Sequence, residues 1–119
     1  MRWERRIASA IFVMWIAGMP NAALAGQMSE PAKITELYVP ATGDVIRIRL
    51  DKPLVNPDQC GGGDFYIKEL TTAAQDRFVS TVMSAFLAGK TVAFWISGCT
   101  AGPYWGATRP VMTDIYVYP

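Results

Sequence analysis

Thr72-Ala73-Ala74-Gln75-Asp76-Arg77-Phe78-Val79-Ser80-Thr81-Val82-Met83-Ser84-Ala85-Phe86-Leu87-Ala88-Gly89-Lys90 is the stretch on which the fold turns. Thr72 and Gln75 have the spacing of a capping box, in which a hydroxyl and a side-chain amide satisfy the first free backbone N–H groups of a helix. Phe78, Val79, Val82, Met83 and Phe86 then recur at helical spacing and predict one apolar face. Gly89 ends the helix as a left-handed cap, and Lys90 follows where the helix dipole favours a cation. The next run, Thr91-Val92-Ala93-Phe94-Trp95-Ile96-Ser97, is almost wholly apolar or aromatic and reads as a central strand leading into Cys99.

Working outward, three strands precede this helix. Ile34–Val39 is rich in strand formers and stops at Pro40. After the turn Ala41-Thr42-Gly43-Asp44, Val45–Asp51 alternates strictly. Ile46, Ile48 and Leu50 occupy one face, and Arg47, Arg49 and Asp51 the other. Lys52–Gly63, with two prolines, Cys60 and three glycines, is a loop. Asp64–Glu69, carrying Phe65, Tyr66 and Ile67, is a short third strand. Ala101–Pro110 is a second loop and Asp114–Tyr118 a last strand, while Gln27–Lys33 reads as a polar arm. The order is β-β-β-α-β-β, mainly β with one amphipathic helix between strands 3 and 4. It predicts a small five-stranded barrel like the oligonucleotide/oligosaccharide-binding (OB) fold, with a mixed sheet and one helix packed across it as the alternative.

The chain has 119 residues and a formal net charge of +1, so it carries no overall basic field of the kind nucleic acid attracts. It contains no histidine, which removes histidine-based catalysis and histidine-ligated zinc. Residues 1–25 read as a secretory leader. Arg2, Arg5 and Arg6 precede an uncharged run from Ile7 to Met19, and Ala23-Leu24-Ala25 supplies the cleavage signature. The run is shorter than the ~20 apolar residues a membrane span requires, so no stable membrane anchor is expected. Residues 26–119 are then a single domain, small enough to need a staple. Cys60 and Cys99 are the only cysteines and are expected to form a disulfide in the oxidising compartment that export implies. The expected location is secreted or periplasmic.

Gly102-Pro103-Tyr104-Trp105-Gly106-Ala107-Thr108-Arg109 is the strongest candidate ligand surface. Sugars stack their C–H faces on aromatic rings, and an arginine takes a carboxylate with two parallel hydrogen bonds. The same aromatics would equally serve to fill one end of a small barrel. Arg47 and Arg49 read as a solvated face with cross-strand ion pairs to Glu36 or Asp114, or else as an anion stripe. Trp95 is expected to be exposed or covered by a neighbouring subunit. Asp58 and Asp64 lack the spacing of a calcium loop, and Ser80, Ser84 and Ser97 have no partner base, so neither a metal nor a catalytic serine is expected. No cofactor is implied.

The residues resemble the binding (B) subunits of subtilase cytotoxin and pertussis-like toxins and their secreted relatives. The resemblance is carried by Ile34–Val39, by Phe86-Leu87-Ala88-Gly89 and by Gly89-Lys90-Thr91-Val92-Ala93-Phe94-Trp95. It implies a non-enzymatic barrel that assembles as a ring of five, binds sialylated host-cell glycans and delivers a catalytic A-type subunit. The sugar site of that family lies near the start of the first strand, here at Ser29 and Glu30. The family's glycan-contacting tyrosine falls at Ile96. The competing expectation is a protein-interaction or inhibitor module on the same barrel, and the weakest is a hydrolase using Asp58 and Asp64.

Overall fold

The computed structural model describes residues 26–119, so the leader assigned to residues 1–25 lies outside the described residues. Within them the chain is mainly β. The elements are β1 (Gln27–Met28), β2 (Ala32–Tyr38), β3 (Val45–Leu50), β4 (Tyr66–Glu69), a 3-10 turn (Ala73–Gln75), α1 (Asp76–Leu87), β5 (Thr91–Cys99) and β6 (Pro110–Tyr118). The six strands form one sheet in the order β1-β5-β2-β3-β4-β6, and β5 also pairs with β6. Strands β2 to β6 therefore close into a ring. The ring's pairings are antiparallel except β4–β6, which run parallel at Ile67 and Val111. These five strands, with the helix between the third and fourth of them, follow the order read from the sequence.

The largest departures from that reading are an added first strand and a longer last one, both for non-local reasons. The polar arm contributes β1, because Ser29 clamps it to β5. The Ser29 N–H donates to the Phe94 carbonyl at 2.9 Å, and the Phe94 N–H donates to Ser29 Oγ at 2.9 Å. The last strand begins at Pro110 rather than Asp114, since β5 offers partners as far as Cys99 through two register irregularities. A proline is compatible with the first residue of a strand, where no ladder N–H is lost.

The helix is set at both ends as its sequence indicates. Gln75 Oε1 accepts the Thr71 and Thr72 N–H groups, the latter at 3.1 Å. At the far end the Lys90 N–H donates to Ala85 O at 2.9 Å and the Gly89 N–H to Phe86 O at 3.2 Å, a Schellman pattern with Gly89 at φ 65°. The cation at this terminus is Lys33 of β2, whose Nζ donates to the Gly89 carbonyl. The apolar helical face is only partly covered. Val82 and Ala85 are buried and Phe78 and Val79 pack at the core margin, whereas Met83 and Phe86 are exposed.

Strand β3 is buried on its inner face and partly covered on its outer one, which decides where a site forms. Inward, Ile46 and Ile48 pack with Tyr66, Val92, Phe94, Ile96 and Met112 under the helix. Tyr66 carries its hydroxyl into this core and accepts the Val55 N–H at 2.8 Å; burial pushes its pKa above the ordinary 10.0. Outward, Val45, Phe65 and Ile67 form a second, smaller cluster. Alternation placed Arg47 and Arg49 on that outward face, and the second cluster covers part of it.

Candidate functional site

The cover over the outer cluster is the loop between β5 and β6. It turns tightly where the Tyr104 N–H donates to Ala107 O at 2.8 Å, and Trp105 takes a left-handed φ of 52° there. A non-glycine residue holds such a conformation only when its surroundings enforce it. Arg109 supplies the enforcement. Its guanidinium donates to Tyr104 O at 2.9 Å, to Trp105 O at 2.7 Å and to Asp64 Oδ1 at 2.5 Å, and stacks over Phe65 at 4.1 Å. Gly62 makes room for it, since a Cβ there would lie 2.2 Å from Arg109 Nη1. The Gly61 and Gly62 N–H groups donate to Thr108 Oγ1 and Thr108 O at 3.0 and 2.8 Å. The disulfide then joins Cys60, one residue before Gly61, to Cys99 at the end of β5, as the pair of cysteines predicted.

Thus held, Trp105 meets Tyr38 and Phe65 edge to face, both at 5.5 Å between ring centres. The Arg47 guanidinium sits among the three rings, 4.5 Å from Phe65, 4.7 Å from Trp105 and 4.9 Å from Tyr38. Glu36 grips Arg47 with both oxygens at 3.0 and 3.1 Å and accepts Arg49 Nε at 3.1 Å. The hydrogen bond from Arg47, opposed by burial and aided by the bond from Arg49, holds the Glu36 carboxyl below its usual pKa. Trp105 stays 47% exposed and Tyr38 41%, so two aromatic rings on a charged, rigid base face solvent. Beside them a groove of about 280 Å³ is lined by Pro40, Thr42, Asp44, Pro103, Tyr104 and Trp105.

The sequence candidates separate into surface and support. Trp105 and Tyr104 lie at the groove, and Tyr104 donates its hydroxyl to Glu69 Oε2 at 2.9 Å. Arg109 is beneath them, 6% exposed, with its donors engaged by the chain's own groups. Ser29 is 3% exposed at the β1–β5 seam, and Glu30 beside it is exposed. Tyr104 packs against the outer cluster of Val45, Phe65 and Ile67, and Trp105 against Phe65. Asp58 accepts the Gly98 N–H at 2.7 Å and Asp64 accepts Arg109, so each carboxylate makes a structural contact. Tyr38 and Phe65 were missed as site residues. Tyr38 ends β2 and Phe65 immediately precedes β4, and only the returning loop brings them to Trp105.

The Tyr104–Glu69 bond is open to direct test. The hydrogen bond to Glu69, followed by burial and the negative fields of Glu69 and Asp44, raises the Tyr104 pKa above 10.0. A raised pKa means that this contribution to stability is complete below pH 10 and is lost as pH climbs through the folded value. Phenolate absorbance is therefore expected to show two tyrosines titrating late, Tyr66 and Tyr104, and Glu69→Gln is expected to bring only Tyr104 earlier. An unchanged titration in Glu69→Gln would show that the bond does not form in solution.

Compared with known protein families, curated proteins and solved structures, the chain has no match. A second groove, of about 430 Å³, lies between α1 and β6 and is lined by Ser80, Thr81, Ser84, Ala85, Ala88, Lys90 and Val117. Exposed Leu87, Tyr116, Val117 and Tyr118 stand on the two elements that form it. Among the described residues no helix is long and apolar enough to cross a membrane, and no three metal-ligating side chains cluster.

Proposed function

We propose that the protein is an exported, non-enzymatic carbohydrate-binding module that presents Trp105 and Tyr38 to a sugar ring, as a binding subunit of the toxin B-subunit kind. The observation that carries this reading is a half-exposed tryptophan held at a left-handed φ by a buried arginine. Such rigidity lowers the entropy lost on binding, and the ring face offers the apolar platform that sugar C–H groups use. Thr42 and Asp44 on the groove wall supply hydroxyl partners. A homo-oligomeric ring, multiplying weak sites, and an A-type catalytic partner complete the proposal by resemblance.

The test is a printed array of sialylated, neutral and amino glycans, followed by calorimetry on the best binder. Trp105→Ala is expected to weaken capture at least tenfold, about the 1.4 kcal/mol of one good stacking contact, with the far-ultraviolet spectrum unchanged. Equal capture by the variant would refute the site. The alternative, a protein-interaction or inhibitor module, is favoured by the groove between α1 and β6 and its exposed apolar margin. No binding anywhere on the array, together with a monomer by light scattering, would select it.

A further inference from the structure

The guanidinium groups around Trp105 are all engaged by the chain's own groups. Arg47 and Arg49 are held by Glu36, and Arg109 by Asp64 and two loop carbonyls. Two carboxylates at the groove beside Trp105 have no such cation. Asp44 lines that groove and Glu69 stands behind its Tyr104 wall, and neither forms an ion pair among the described residues. The hairpin brings the two acids together. Glu69 pairs with Val45, the neighbour of Asp44, in the β3–β4 register, and the Leu70 N–H donates to Asp44 O at 2.9 Å. Lys68, next to Glu69 on β4, turns to the helix side, with its Nζ 5.0 Å from the Phe78 ring centre. Glu69 Oε2 is taken by the Tyr104 hydroxyl. Asp44 is exposed, and among the described residues its side chain accepts one hydrogen bond, from the Thr42 hydroxyl to Oδ1 at 2.7 Å. Its Oδ2 is open to a donor from outside.

We propose that this groove selects an amine-bearing sugar, an unacetylated amino-sugar residue whose ring stacks on Trp105 and whose ammonium donates to Asp44. The proposal rests on the carbohydrate reading of the same site and names its ligand class. An ammonium–carboxylate hydrogen bond is charge-assisted, and the Trp105 ring also attracts a cation. An N-acetylated sugar keeps the ring face but loses the charge, so it stacks without the ion pair. A sialylated sugar brings a carboxylate towards Asp44 and Glu69. Arg109, the group suited to receive that carboxylate, is 6% exposed and already bonded. Like charges at such separations repel, and no free cation offsets them here.

The purified protein is titrated by tryptophan fluorescence with a β-1,4-linked glucosamine tetrasaccharide, its fully N-acetylated counterpart and sialyllactose. The glucosamine form is expected to bind about fivefold more tightly than the acetylated one at low salt, the upper range for an exposed ion pair. That preference is expected to shrink as sodium chloride rises from about 0.02 to 0.5 M, while the acetylated form binds equally throughout. Asp44→Asn keeps an acceptor for Thr42 and is expected to bind both tetrasaccharides alike, at the affinity of the acetylated form. Equal binding of the two forms to the unmodified protein, or tighter binding of sialyllactose, would overturn the amine assignment; if Trp105→Ala still abolished that binding, the carbohydrate reading would stand. A preference that survives Asp44→Asn would overturn the role of Asp44. Binding of none of the three sugars would overturn both the amine assignment and the carbohydrate reading beneath it.

Discussion

Replacing both Cys60 and Cys99 by alanine is expected to lower the unfolding free energy by about 4 kcal/mol, the loop-closure value for a ring of this length. For a domain of this size that corresponds to a fall in melting temperature of about 20 °C. The two cysteines are 39 positions apart. Between them lie β4, the helix and β5, so reduction frees a large part of the ring in the unfolded ensemble. The bond also ties the loop after β3 to the end of β5. That loop has its own fixings. Asn56 exchanges hydrogen bonds with the Cys60 backbone at 2.9 and 3.0 Å, and Asp58 holds Gly98. Chemical denaturation of the double variant separates the contributions. A loss below about 1 kcal/mol would mean that these polar contacts confine the loop without the covalent link.

What the sequence disclosed was local. The Thr72–Gln75 start and the Gly89 stop of the helix are properties of a few neighbouring residues, and both are present. The alternation of β3 placed Ile46 and Ile48 inside and directed Arg47 and Arg49 outward to Glu36, one of the two partners anticipated. What stayed hidden needed partners far along the chain. Strand β1 has no pattern of its own and exists because Ser29 meets Phe94, 65 residues away. Met83 and Phe86 fit the helical period, yet the ring covers only the part of that face around Val82 and Ala85.

The site shows the same division more sharply. Tyr104 and Trp105 were recognisable as two aromatics in a glycine-rich loop. The surface they complete was not, because Tyr38 and Phe65 come from two other segments of the chain. Arg109 was read as a ligand group because an arginine beside aromatics so often is one. Its actual contacts are two carbonyls of its own loop and a carboxylate 45 residues earlier. An exposure of only 6% could not be inferred from a residue flanked by Thr108 and Pro110.

That placement yields the second large prediction. Arg109→Met keeps much of the aliphatic stem over Phe65 but removes every donor, leaving the Tyr104 and Trp105 carbonyls without these partners. Bonds from a charged donor contribute about 1.5–3 kcal/mol each, and part of that returns as water reaches the freed carbonyls, so a loss of about 3 kcal/mol is expected. Asp64→Asn is expected to cost under about 1 kcal/mol, because Asp64 is 59% exposed and Arg109 keeps its two carbonyls. The ordering matters more than either value. If Arg109 serves chiefly as Asp64's ion-pair partner, the two variants fall together; if it clamps the loop, only Arg109→Met is severe. In the clamp case Trp105 loses its left-handed anchor, its fluorescence shifts to the red, and amides of residues 102–109 exchange faster. Sugar capture then fails in Arg109→Met as it does in Trp105→Ala, although the guanidinium lies beneath the surface. Normal capture by Arg109→Met, with the loop shown to be mobile, would detach ligand binding from the rigidity of Trp105 and leave the glycan proposal without its main physical support.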